Sequence, residues 1–349
     1  MRILVTGAAG FIGSHLCDWL QQKHEVYAID NLSSGQTRYI SPGCLFSKMD
    51  CRDLVKDPLG NDPLTRSCQF IFHLASTVGV RRILEDPKEC IENIIESTRA
   101  VLGLGIPGIY FSTSEVYGKS METLSEDSKL ILGSKMRWTY AGAKLIGEFL
   151  ARQAGWKIVR LFNVVGSRQS SAYGAVLPRF VEQALNGEPI TVYGDGSQVR
   201  TFLDVHDCVE ILDRLREAPN FGVVNVGGKA AFTILELANV VKTTLKSDSP
   251  IVRVDYEDAY GPEFEECPCR IPNLSKLHTL VGFPNCRCLQ NTIFEIAQEN
   301  QRLEFARCDK DVRTGRKAML MAERVGSETQ LSYRKMHKLR LQATQQAAP

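Results

Sequence analysis

Tyr140 and Lys144 stand four residues apart in a stretch, Trp138 to Ala151, whose pattern predicts a helix. Their side chains therefore share one face, a turn apart. A phenol is a poor base near neutrality, with an ordinary pKa of about 10. An ammonium group close by stabilises the phenolate and lowers that value. Such a phenolate can take the proton of an alcohol while the carbinol hydrogen leaves as hydride. Upstream, Thr113, Ser114 and Glu115 follow the apolar run Ile109-Tyr-Phe111, which predicts a buried strand. A hydroxyl just beyond that strand can hold the same alcohol oxygen. A carboxylate in that place is costly as mere structure, which points Glu115 toward catalysis or substrate binding. Tyr and Lys at this spacing are common by chance, so the reading needs a hydride acceptor.

The first thirteen residues supply one. Ile3-Leu-Val5 is a short apolar run of the kind that fills a strand buried on both faces. Gly7, Gly10 and Gly13 follow at spacing three, and a helix is predicted to start at Phe11. In a strand-turn-helix unit one glycine permits the tight turn, one lets a diphosphate reach the backbone, and one lets helix pack on strand. The N–H groups of the helix's first turn then face the phosphates. The next strand, Glu25-Val-Tyr-Ala-Ile29, ends in Asp30, seventeen residues past Gly13. A carboxylate there can accept both ribose hydroxyls and repels a 2′-phosphate, which favours NAD over NADP.

These residues need a scaffold, and the chain alternates strand and helix signals through its first half. Further strands are expected at Leu45–Lys48 (ending at Asp50), Gln69–His73, Ile109–Phe111 and Trp156–Leu161, with a helix over Lys88–Leu102. That is the pattern of a doubly wound α/β fold, a parallel sheet with helices on both faces. Beyond Gly166 the connections lengthen and the alternation is lost, as for a smaller substrate-binding lobe. Phe221–Val226 is expected to return to the main sheet. The domains are then a nucleotide-binding domain over 1–165, a lobe over 166–300 and a partly helical or disordered tail over 301–349.

With 349 residues, 44% apolar and 23% charged, the chain has room for a sizeable core. The net charge of +2 is unevenly spread: residues 301–349 hold eleven Lys/Arg against five Asp/Glu, leaving −4 on the rest. Neither a nucleic-acid nor a membrane partner is indicated. No run of eighteen apolar residues occurs. The start superficially resembles a signal peptide, but the glycine pattern accounts for the same residues and cleavage would destroy it. Eleven scattered cysteines suit reduced thiols in a cytoplasm. Cys267-Pro-Cys269 and Cys286-Arg-Cys288 could form a four-thiolate zinc site, but their spacing is tighter than the usual knuckle, so no metal is expected.

Taken together, the motifs resemble the extended short-chain dehydrogenase/reductase family acting on nucleotide sugars, over residues 1 to about 300. The matching motifs are Gly7-x-x-Gly10-x-x-Gly13, Asp30, His73-Leu-Ala75, Ser112-Thr-Ser-Glu-Val-Tyr-Gly118, Tyr140-x-x-x-Lys144, Arg160-Leu-Phe-Asn163, Pro189-Ile-Thr-Val-Tyr-Gly-Asp-Gly196 and Val199-Arg-Thr-Phe202. The nearest resemblance is to UDP-glucuronate decarboxylases. It implies Thr113, Glu115, Tyr140 and Lys144 as the catalytic set. The cofactor contacts it implies are Gly7, Gly10, Phe11, Ile12, Gly13, Asp30, Asn31, Asp50, Leu74, Ala75 and, again, Tyr140 and Lys144. Asn163, Tyr193, Arg200 and Arg270 would contact the substrate. Bottom-up, two arginines are what a doubly charged diphosphate calls for. The resemblance further implies NAD as cofactor, a UDP-sugar as substrate and a homodimer. A UDP-sugar 4-epimerase, a 4,6-dehydratase and a catalytically silent NAD-binding protein stay open as alternatives. The chain departs from the family where Ser76 and Thr77 stand beside the nicotinamide, where Cys267-Pro-Cys-Arg270 keeps one arginine of a richer run, and at two shortened helix ends.

Overall fold

The computed structural model describes residues 1–55, 63–283 and 286–313. Residues 314–349, most of the expected tail, lie outside the described residues. Residues 1–297 form one compact unit, and the described residues from 298 belong to a second.

Seven strands make the main sheet: β1 (Arg2–Thr6), β2 (Glu25–Asp30), β3 (Leu45–Lys48), β4 (Phe70–His73), β5 (Gly108–Thr113), β6 (Lys157–Leu161) and β7 (Val223–Val226). Their spatial order is β7-β6-β5-β4-β1-β2-β3, and every neighbouring pair runs parallel. Strand order therefore reverses between β1 and β4, where an open parallel sheet leaves a crevice at the carboxyl ends of its strands.

Period-two alternation distributes the apolar side chains to two cores. Ile3, Val5, Val26, Ala28 and Phe72 point to one face. There they meet Leu16 and Leu20 of α1 (Phe11–Leu20) and Val209 and Leu212 of a helix over Val205–Glu217. Leu4, Tyr27, Ile29, Ile71 and Tyr110 point to the other. They meet Val101 of α2 (Pro87–Leu102) and Ala151 of α3 (Thr139–Gln153). α2 begins where Asp86 accepts from Glu89 N (3.0 Å), with Pro87 at the first helical position.

The alternation expected to stop at Gly166 resumes in part. The helix over Val205–Glu217, capped by Asp204 accepting from His206 N at 2.8 Å, sits beside α1 and leads back into β7. The return of the chain at Phe221–Val226 is thus prepared by a helix that the long preceding loops conceal. The remaining strands form small sheets, one ordered Ala231–Thr233, Val199–Thr201, Cys269–Pro272 and Thr123–Leu124. Its register sets Arg200 opposite Arg270. Leu289–Arg313 is one helix, which takes in the first residues of the expected tail. Among the described residues no helix is long and apolar enough to cross a membrane.

Candidate active site

A cavity of about 500 Å³ opens at the carboxyl ends of β1, β2, β4 and β5. It brings together Gly7, Gly10, Phe11, Ile12, Gly13, Asp30, Asn31, Asp50, Leu74, Ala75, Thr113, Glu115, Tyr140 and Lys144.

At one end lies the glycine turn. Gly7 has φ +70°, and a Cβ there would lie 2.8 Å from Ala75 N. A Cβ on Gly13 would lie 2.1 Å from the carbonyl oxygen of Gly7, so α1 approaches the turn as only glycine allows. Asp30, at the end of β2, is buried, and its Oδ2 accepts from Ala9 N (2.9 Å) while Oδ1 accepts from Leu32 N (2.7 Å). Burial raises its pKa, and those two backbone donors oppose the shift. Asp50 accepts from Asn31 Nδ2 at 2.9 Å and from Arg52 Nε at 3.0 Å. Burial works against its ionisation, but the bonds from Arg52 and Asn31 prevail and hold it at about 2.

At the other end, α3 presents Tyr140, Lys144 and Glu148 along one face at spacing four. Burial, then the charge of Glu115, pushes the Tyr140 phenol up, and the hydroxyls of Thr113 and Ser76 oppose this through hydrogen bonds. Burial lowers Lys144 to about 7. Its Nζ donates to Phe111 O at 2.7 Å and lies 5.0 Å from the Tyr110 ring centroid. Behind it Glu148 is locked to Arg160 through Arg160 Nη2 (2.7 Å) and Nε (2.9 Å), and it accepts from Ser112 Oγ (2.5 Å).

Glu115 follows β5 in a short turn, where its N–H donates to Thr113 Oγ1 at 3.2 Å. Arg137 Nη2 donates to its Oε2 and Arg270 Nη1 to its Oε1. Burial alone would raise its pKa, but Arg270 and then Arg137 outweigh burial and hold it at about 2. Arg137 is itself buried, with its guanidinium 4.4 Å from the Trp138 ring centroid and Nη1 donating to Glu265 O (2.5 Å). The Arg137 Nε and the Arg270 Nε and Nη2 are buried without partners.

The four expected substrate contacts lie outside the cavity lining. Asn163 Nδ2 donates to Thr201 O at 3.0 Å. Tyr193 lies under the Arg179 guanidinium, 3.9 Å from its ring centroid. Arg200 Nη2 donates to Glu266 Oε1 (2.6 Å) and Cys267 O (2.7 Å). Arg270 reaches the site only through Glu115. Sequence reasoning missed Arg137, although it precedes Tyr140 by three residues, because its partners are 22 and 128 residues away. It also missed Arg168 and Ser170, which line the cavity. Among the described residues no three His, Cys, Asp or Glu side chains gather as a metal set.

The glycine cradle and the carboxylate closing β2 fit a dinucleotide. The comparisons with known proteins agree. Residues 3–227 match the model of the NAD dependent epimerase/dehydratase family. The chain is similar to UDP-N-acetyl-alpha-D-glucosaminuronate decarboxylase of Bacillus cytotoxicus, 36% identical over 308 residues that cover 81% of this chain and 93% of that one. It is also similar to UDP-glucuronic acid decarboxylase 2 of Arabidopsis thaliana, 33% identical over 297 residues, covering 81% of this chain but 64% of the longer plant protein. Among solved structures, UDP-glucuronic acid 4-epimerase from Bacillus cereus in complex with UDP-glucuronic acid and NAD superposes with a TM-score of 0.74 at 27% identity, over 87% of this chain and 100% of the other. The chain belongs to the NAD dependent epimerase/dehydratase family, with NAD as its cofactor.

Proposed function

We propose that the protein is a UDP-glucuronate decarboxylase that forms UDP-xylose through a 4-keto sugar. When bound, NAD would supply a reversible hydride acceptor for C4 of the sugar. Tyr140 takes the proton of the 4-hydroxyl, with Thr113 holding the same oxygen. The 4-keto uronic acid is a β-keto acid: once its C5–C6 bond overlaps the carbonyl, carbon dioxide leaves, the bonding pair stays on the sugar as an enolate, and C5 then takes a proton from water. Glu115 holds the ring in that attitude, through its hydroxyls or a water. One observation carries the reading: Glu115 is fixed by an arginine on each oxygen. So clamped, it stays ionised near neutrality and serves as an anchor, not as a proton carrier. An epimerase must let its keto intermediate turn over, and a rigid anchor of this kind contributes little to that. The 36% identical relative acts on the 2-acetamido uronate, so both sugars belong in the test.

The test is to incubate the protein with UDP-glucuronate, and in parallel with UDP-N-acetylglucosaminuronate, and to weigh the products. Loss of carbon dioxide is expected. An isomer of unchanged mass would establish the epimerase, and loss of water the dehydratase. Glu115→Gln keeps the shape and removes the charge. It is expected to slow decarboxylation at least about tenfold, roughly 1.4 kcal/mol of transition-state stabilisation. Full activity in that variant would end the anchor role.

The proposed assembly is a homodimer through α3, in a reducing cytoplasm that suits eleven scattered cysteines. Ile146 and Phe149, three residues apart on one face of α3, are 45% and 59% exposed. Phe149→Glu is expected to give a monomer by light scattering with an unchanged far-ultraviolet spectrum. A wild type that is already monomeric would overturn the dimer.

A further inference from the structure

Three cationic side chains line the cavity among the described residues: Arg137, Lys144 and Arg168. Arg137 is taken by Glu115 and Glu265 O, and Lys144 by Phe111 O, both at the Tyr140 end. Arg168 belongs to the other end, because its loop runs along α1. A Cβ on Gly166 would lie 3.5 Å from the Phe11 ring, His15 Nε2 donates to Ser167 O (3.0 Å), and Arg168 Nη2 donates to Asp18 Oδ2 (2.7 Å). Phe11, His15 and Asp18 make one stripe of the helix that the glycine turn introduces.

Arg168 is held there in an uncommon state. Its φ is +65°, in the left-handed region that glycine adopts without strain. Its Nη1 is buried with no partner. Its guanidinium lies 5.6 Å from the ring centroid of Tyr39, which also lines the cavity and follows the loop after β2. At the start of α1, Gly10 provides no side-chain cap and the first turn has no acidic residue. This end of the cavity thus holds a cation with a donor to spare and no carboxylate in that first turn. A dinucleotide's diphosphate brings two negative charges and acceptor oxygens that match a guanidinium.

We propose that Arg168 is the counter-ion of the NAD diphosphate, contributed by the loop after β6 and aimed by Asp18 and Tyr39. The inference rests on the cofactor and not on the sugar chemistry, so it is tested without any sugar nucleotide. Full-length protein freed of nucleotide is titrated calorimetrically with NAD and with ADP-ribose, as wild type, Arg168→Lys and Arg168→Gln, and each variant is melted without ligand. The expected result is that Gln weakens both ligands at least about tenfold, that Lys recovers most of the loss, and that the ligand-free melting temperatures agree. Raising salt should weaken wild type and Lys more than Gln. NAD binding within threefold of wild type in Gln overturns the proposal. So does an equal loss in Lys and Gln, or a loss that tracks a lowered melting temperature, since each would make Arg168 a structural pin to Asp18.

Discussion

Tyr140→Phe is expected to bind NAD as the wild type does and to lose turnover by about 10²–10⁴-fold, the ordinary cost of removing a general base. The ring remains to fill its place on α3, and only the hydroxyl is lost. Burial and Glu115 both disfavour the phenolate, and the Thr113 and Ser76 hydroxyls counter them. Lys144 adds a group held near 7 one turn along the same helix. In the protein alone the Tyr140 phenolate is therefore disfavoured, and the oxidised cofactor, when bound, would supply a positive charge that favours it. The measurement is initial rate against UDP-glucuronate, beside NAD titration of the same preparation. Activity within tenfold of wild type would remove Tyr140 from the mechanism.

The second large effect concerns stability. Arg160→Leu is expected to lower the unfolding free energy by about 3–5 kcal/mol, because it strands the Glu148 carboxylate without its partner. The side chains of this pair are 3% and 2% exposed, on β6 and α3, directly behind the catalytic face. Glu148 would keep only the Ser112 hydroxyl. The double variant, Glu148→Leu with Arg160→Leu, should regain most of the loss, since two apolar groups of similar volume replace the pair. Urea unfolding of the three proteins decides it. A single variant costing under about 1 kcal/mol would mean that water reaches the pair.

Both predictions concern α3, and its position is legible in the sequence. Tyr140 and Lys144 at spacing four, the apolar runs Ile3–Val5 and Ile109–Phe111, and Asp30 ending its strand are local signals, and the fold keeps each where its period or its terminus puts it. Leu45–Lys48 was legible for the same reason, even though the strand is only partly buried. What escaped was assembled from distant pieces. Arg137 reads as one more surface arginine until Glu115 and the Glu265 carbonyl meet it, and no periodicity announces that meeting. Arg200 and Arg270 were legible as a pair of arginines. The sheet that sets them opposite each other joins segments 70 residues apart, and each then finds its own glutamate. The helix over Val205–Glu217 was obscured by the irregular stretch before it.

The double engagement of Asp30 bears on attempts to re-engineer the cofactor. Swapping this carboxylate for a small neutral residue is the obvious first step toward admitting a 2′-phosphate. Here the same two oxygens fasten Ala9 of the glycine turn and Leu32 of the following loop. A Cβ on Gly35 would lie 2.9 Å from either of them, so that loop has closed tightly around the acid. A single exchange would leave two inward-facing amides without acceptors and loosen both walls at once. A change of cofactor must therefore begin by rebuilding the Asn31–Gly35 loop so that it holds itself, and only then remove the charge.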